Sequence, residues 1–167
     1  NDRVIWVFPV YSWGIPPVLD DIIGNIEIEG ADRAVHYAVM TCGDDTGYAD
    51  RTWLRSLARR GWAGRGAWSV RMPNTYVFMK GFDVDSVDTA SAKISSATAR
   101  VRDIGSHICA GDRTTDVVRG TFPHIKTYLI RPWFVRHCMS PRRFGSTDDC
   151  VGCKVCADNC PMKNINM

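Results

Sequence analysis

Arg3-Val4-Ile5-Trp6-Val7-Phe8-Pro9, followed by Val10-Tyr11-Ser12-Trp13-Gly14-Ile15-Pro16-Pro17, is the stretch from which the fold is read. Residues 3–8 form a near-continuous apolar run, the pattern of a strand buried on both faces in a parallel sheet. Pro9 stops it, and 9–16 reads as a loop. Pro16 or Pro17 suits the first turn of a helix, where the missing N–H costs nothing. Val18, Leu19, Ile22 and Ile23 then recur at helical spacing, so a helix is expected over about 17–26.

The alternation continues outward. Ala34 to Met40 reads as a second buried strand, Thr41 to Gly47 as a polar glycine-bearing loop, and the chain from about Tyr48 to Gly61 as a helix. Trp53, Leu54, Leu57 and Ala58 form its apolar face. Arg51, Arg55 and Arg59 form another face, expected to be solvated surface. Ala67 to Met72 is a third strand, with 73–80 as the next loop. This order predicts an α/β fold with a parallel sheet and right-handed crossovers. Ligands in such sheets lie outside the C-terminal strand ends, where the loops 9–16, 41–48 and 73–80 fall. Val87, Ala90, Ile94, Ala97, Val101 and Ile104 repeat at three or four residues, so a helix is expected over 86–104, capped by Ser86 and closed by Gly105. Residues 106–127 read as a linker, and Tyr128 to Cys138 as a helix beginning near Pro132. The expected division is a sheet domain over 1–105, a linker and helix over 106–140, and a cysteine-bearing segment over 141–167.

That last segment contains Cys150-Val151-Gly152-Cys153-Lys154-Val155-Cys156-Ala157-Asp158-Asn159-Cys160-Pro161. It reads C-x2-C-x2-C-x3-C-P, the spacing of bacterial iron–sulfur sites. Zinc sites usually pair two separated C-x2-C hooks, and disulfides across such short loops are strained. In two-cluster proteins the fourth cysteine serves the other cluster, so Cys150, Cys153 and Cys156 are expected to hold one cluster and Cys160 a second. Lys154, between ligands, is expected to face solvent. Cys42, Cys109 and Cys138, the rest of the seven cysteines, read as free buried thiols.

With 167 residues, 45% hydrophobic and 23% charged, the chain has the composition of a soluble globular protein. A net charge of +3 without a dense Lys/Arg run gives no support to nucleic-acid binding. No apolar run has membrane-spanning length, and no signal peptide is visible. The thiol pattern suits a reducing cytoplasm. His36, inside a strand, reads as a satisfied core or edge histidine; His107, His124 and His137 have no partner pattern. No G-x-S-x-G, Walker A or H-E-x-x-H motif is present. The aromatics and glycines of the loops at 9–16 and 41–48 favour a planar ligand at adjacent strand ends.

These residues resemble a known family. Val7-Phe8-Pro9-Val10-Tyr11-Ser12-Trp13-Gly14-Ile15-Pro16 is similar to the third strand and flavin loop of flavodoxin-like domains, in particular of bacterial fusion proteins in which such a domain precedes a two-cluster ferredoxin domain. The likeness continues through Thr41-Cys42-Gly43, Arg71-Met72-Pro73-Asn74-Thr75-Tyr76, Gly81-Phe82-Asp83-Val84-Asp85 and Thr147-Asp148-Asp149-Cys150. The resemblance implies a flavodoxin-like doubly wound sheet of strand order 2-1-3-4-5, with strands 3-4-5 present here, and a partial 4Fe-4S ferredoxin segment. It implies FMN, with Pro9, Tyr11, Ser12, Trp13 and Gly14 on one side of the ring and Thr41, Cys42, Gly43 and Gly47 on the other. The phosphate-gripping loop and first two strands of such domains have no counterpart, so the chain is expected to be a piece lacking both ends. The implied function is electron transfer between 4Fe-4S clusters and flavin, with redox proteins as partners. Two alternatives are a partner-binding module with a structural zinc or cluster site, and a flavin-dependent small-molecule reductase. No residue presents itself as a general acid or base.

Overall fold

The structure, a computed structural model, describes residues 2–76, 84–139, 145–160 and 163–166. Gly81, Phe82 and Asp83 of the family resemblance, and Pro161 after the last cysteine, lie outside the described residues. The architecture is α/β. Four strands, β1 (Arg3–Pro9), β2 (Val35–Cys42), β3 (Ala63–Arg71) and the short β4 (Thr115–Asp116), form an all-parallel sheet in the order β1-β2-β3-β4.

Helices α1 (Pro17–Asn25) and α2 (Ala49–Arg59) cover one face of the sheet. Ile23, Trp53 and Leu57 pack there on Trp6 and Phe8 of β1, Ala38 and Met40 of β2, and Ala67 of β3. Pro17 occupies the first position of α1. Arg60, just past α2, clamps the end of α1 by donating to the carbonyls of Ile23, Gly24 and Ile26. His36 is a satisfied core histidine: Trp6 Nε1 donates to its Nδ1 at 3.0 Å, so its Nε2 carries the proton given to the Ala31 carbonyl at 2.9 Å.

On the opposite face α3 (Val87–Ala110) lays Ile104 and Ile108 on Tyr37, Trp68 and Val70. Ser86 caps it as expected, its hydroxyl accepting from Thr89 N. The helix runs through Gly105, however, and ends six residues later at Gly111, whose φ of 79° gives the left-handed cap. Burial of Ile108 beside Ile104 holds that extra turn and a half against the weak helix propensity of one glycine. The region read as a linker is therefore the end of α3, then β4, then the start of a further helix. Residue 105 lies inside a helix.

α3 packs its apolar side on β2 and β3 and meets β1 through Arg3, which donates to the Cys109 carbonyl at 3.2 Å. The expectation that 3–8 is buried on both faces consequently fails: Ile5 is 49% and Val7 71% exposed, while Trp6 and Phe8 between them are buried. β3 begins at Ala63, four residues earlier than read, because Gly64 and Gly66 leave room for Leu54 and Trp68 side chains against the strand. Cys42 is buried, but Cys109 and Cys138 are exposed thiols. No helix among the described residues is long and apolar enough to cross a membrane.

Near the end of α3, His107 Nδ1 lies 2.6 Å from the Asp112 carboxylate and its Nε2 3.5 Å from Asp103. The Asp112 hydrogen bond, with smaller help from the Asp103 charge, raises the imidazole pKa above the ordinary 6.5. This favours the folded state fully below the ordinary pKa, and the advantage is lost as pH rises through the folded pKa. An NMR titration of the His107 ring is expected to show a midpoint above 6.5, brought down by Asp112→Asn. A wild-type midpoint at or below 6.5 contradicts the pairing.

Candidate functional site

The loop after β1 closes on itself. Tyr11 N donates to Gly14 O at 2.9 Å, Gly14 N donates to Tyr11 O at 3.1 Å, and both central residues have positive φ, Ser12 at 46° and Trp13 at 60°. This is the pattern of a type I′ turn, which usually takes Asn or Gly; a non-glycine residue there costs about 1–2 kcal/mol. Strain of that size persists where surrounding contacts enforce it. Here the contacts come from the far end of the chain: Thr127 Oγ1 donates to the Trp13 carbonyl at 2.9 Å, and Lys126 Nζ stands 5.5 Å from the Trp13 ring centroid.

Thr127 belongs to a helical run of α4 (Pro123–Ile125), a π-helical turn (Lys126–Ile130) and α5 (Arg131–His137). The helix was expected to begin near Pro132. It begins nine residues earlier, at Pro123, and the π turn lies just before Pro132, where the proline ring and its missing N–H break the regular hydrogen-bond ladder. The run lies across the strand-end loops. Its Lys126 pairs with Asp45 at 2.6 Å, Thr127 Oγ1 accepts from Tyr48 N at 2.9 Å, and Arg131 donates to the Ile15 carbonyl.

The segment leading into the run is held just as closely. Thr46 N donates to Val118 O at 2.7 Å, and Arg119 makes a bidentate pair with the buried Asp50, 2.8 Å for each bond. The loop after β3 joins from the other side, with Asn74 donating to Asp44 at 2.9 Å. Lys93 of α3 bonds Asp85 at 2.6 Å and approaches Asp44 at 3.4 Å.

The structure thus brings Pro9, Tyr11, Ser12, Trp13 and Gly14 beside Thr41, Cys42, Gly43 and Gly47 at adjacent C-terminal strand ends. It also fills the places where a ring would enter. A Cβ on Gly14 would meet the Arg131 guanidinium, one on Gly47 would meet Trp13 and Thr127, and one on Gly43 would meet Asn74. These glycines admit this chain's own side chains, and in this arrangement the residues do not fit a flavin ring. Burial pushes the Cys42 thiol up to about 11, with its Sγ 4.0 Å from the Val70 carbonyl, so it is a protonated core thiol at neutral pH. Asp45, read only as part of the polar loop, and Arg119, Lys126, Thr127 and Arg131, not marked in the sequence reading, tie these loops to the later chain.

The cysteine run is differently built. Cys150, Cys153 and Cys156 are exposed and Cys160 is half-buried. Gly152 at φ 67° and Lys154 at φ 62° turn the chain twice before the single-turn helix α6 (Val155–Asp158). Lys154 is exposed, as expected. Cys160 Sγ donates to Asn164 Oδ1 at 3.1 Å. Among the described residues no three His, Cys, Asp or Glu side chains converge closely enough to hold a metal ion. The chemistry of the run suits part of an iron–sulfur site: Cys150, Cys153 and Cys156 would supply three of the four thiolates that a 4Fe-4S cluster takes, and metal sites commonly assemble only as the ion binds. Comparison with known proteins finds no matching family model, curated protein or solved structure.

Proposed function

We propose that the chain is an electron-transfer protein whose cysteine run carries 4Fe-4S chemistry. The carrying observation is the run Cys150, Cys153, Cys156 and Cys160, with its first three thiols on the surface. Cys150, Cys153 and Cys156 would hold one cluster, and Cys160 would serve a second. A bound cluster supplies one-electron transfer. The chain's own part is to present the thiols on two left-handed turns, at a surface that a redox partner protein can approach. The exposed thiols of Cys109, Cys138, Cys150 and Cys153 agree with a reducing, cytoplasmic setting.

Anaerobic reconstitution with iron and sulfide tests this. The expected product shows broad absorption at the violet edge of the visible spectrum and an EPR signal on reduction. Cys153→Ser should lose most of both, whereas Cys109→Ser, on an exposed thiol outside the run, should keep them. A colourless product containing only zinc overturns the proposal in favour of a structural module.

The flavodoxin-like reading, with FMN as a second cofactor, draws support from the parallel β1-β2-β3 order and the meeting of the two loops. Binding at those loops requires Thr127 and Arg131 to withdraw. Quenching of FMN fluorescence by the protein, abolished when bulk is added by Gly43→Val, would support it; unquenched fluorescence at micromolar protein would sink it.

A further inference from the structure

A cavity of about 230 Å³ lies between α1, α2 and α5. Its polar lining comprises Asp20, Thr52, Arg55, Ser56, Arg59 and Arg131. Three guanidiniums face one carboxylate. That carboxylate is already engaged: Ser56 Oγ donates to Asp20, and Arg59 pairs with it at 2.5 Å. Burial works to raise the Asp20 pKa, but these two hydrogen bonds and the Arg59 charge hold the carboxyl below its usual value, so it stays ionised and spent on Arg59.

Arg55 and Arg131 also line the cavity, and neither makes a direct ion pair among the described residues, although the Asp20 charge acts on Arg131. Arg131 is half-buried, donates to the Ile15 carbonyl, and keeps a buried Nε without a hydrogen-bond partner. Burial pushes its pKa down, and the nearby Asp20 charge, already paired with Arg59, offsets only part of that. Arg55 is an exposed residue on the cavity wall and lies over the Tyr128 ring, 5.6 Å from its centroid. The half-buried Arg131 is the cation that a further anion would stabilise, because Asp20 only partly offsets its loss of water. The Arg face of α2, read from the sequence as plain solvated surface, is thus gathered on one side into a polar hollow.

We propose that this cavity is an oxyanion site, taking inorganic phosphate or the terminal phosphate of a small phosphomonoester. The size sets the class. The volume is below the roughly 300–1,000 Å³ of pockets for drug-sized molecules, yet well above the roughly 30 Å³ share of one water. Arg55 and Arg131 supply charge-assisted donors, and planar guanidiniums match phosphate oxygens in pairs. The Thr52 hydroxyl, which donates to Ala49 O and accepts from Ile15 N, ties the α1 entry to α2 and keeps the walls in place. The site is separate from the cysteine run and does not rest on the electron-transfer reading.

The test is isothermal titration calorimetry of the full chain in a non-phosphate buffer. Sodium phosphate and glucose 6-phosphate are the two probes, with sodium chloride at matched ionic strength as the blank. Saturable heat with phosphate alone marks a free-oxyanion site; heat with both marks a site open to phosphomonoesters. Arg55→Gln should weaken binding about tenfold or more, while Arg51→Gln, one turn away and stacked on Tyr48, should leave it unchanged. Arg131→Met, checked for folding by circular dichroism, should abolish it. Absence of saturable heat with either probe overturns the proposal. So does Arg55→Gln binding as tightly as wild type.

Discussion

Replacing Arg119 by methionine is expected to destabilise the folded chain by about 3–5 kcal/mol. The Asp50 side chain is only 4% exposed and receives both its strong hydrogen bonds from Arg119, each at 2.8 Å. Hydrogen bonding to Asp50 is also what chiefly raises the Arg119 pKa. Arg119 additionally lies over the Tyr48 ring, 4.9 Å from its centroid, and reaches the Gly47 carbonyl at 3.4 Å. Removing it leaves a carboxylate buried without a counter-charge, which costs far more than the roughly 0–1 kcal/mol of an exposed pair such as Arg59–Asp20. The loss is a large fraction of the whole stability of many domains, about 5–15 kcal/mol. It falls where 118–131 is tied to the 41–48 loop. Urea unfolding checks the size. The double variant Arg119→Met/Asp50→Leu should recover much of the loss, because no orphaned charge remains. A single-variant cost under about 1 kcal/mol, or a double variant no better than the single, would contradict this account.

That the bond joins residues 69 apart explains why it was invisible in the sequence. β1, β2, α1 and α2 were legible because their signals are local: an apolar run, a Pro-Pro entry, and Trp53 and Leu57 at helical spacing. The two loops were legible as a meeting point because the strand–helix alternation places them at one end of a parallel sheet. What covers them was not. Thr127 bonds Trp13 across 114 positions and Arg131 bonds Ile15 across 116, and no local pattern foretells such pairings. The same limit misplaced the end of α3. Gly105 is a local stop signal, whereas the packing of Ile108 on the sheet is a tertiary one and prevails. The exposure of Ile5 and Val7 is likewise a matter of where α3 reaches. In the cysteine run the spacing showed the four thiols of the proposed site but not how the chain holds them, since spacing specifies which thiols could share a metal and not their placement beforehand.

Trp53→Ala should cost about 3–5 kcal/mol, the range for losing a large aromatic from a packed core. Trp53 is fully buried in α2, between the sheet and the strand backbone that Gly64 opens to it, with two ring atoms 3.3 Å from where a Gly64 Cβ would stand. Its ring sets the height of α2 above the sheet, and the loop carrying Asp45, Gly47 and Tyr48 runs directly into that helix. Trp53→Phe should behave differently. The indole Nε1 is buried with no hydrogen-bond partner, so phenylalanine removes an unsatisfied donor along with the ring atoms it deletes. An orphan donor of this kind costs about 1–3 kcal/mol, which offsets most of the smaller cavity that Phe leaves. The expected change for Trp53→Phe is therefore within about 1 kcal/mol of wild type, against the several of Trp53→Ala. Chemical unfolding followed by far-ultraviolet circular dichroism measures both without relying on the tryptophan signal being removed. Equal losses in the two variants would mean that the indole N–H is satisfied in solution, and that the ring, rather than the balance of ring and orphan donor, carries the whole effect.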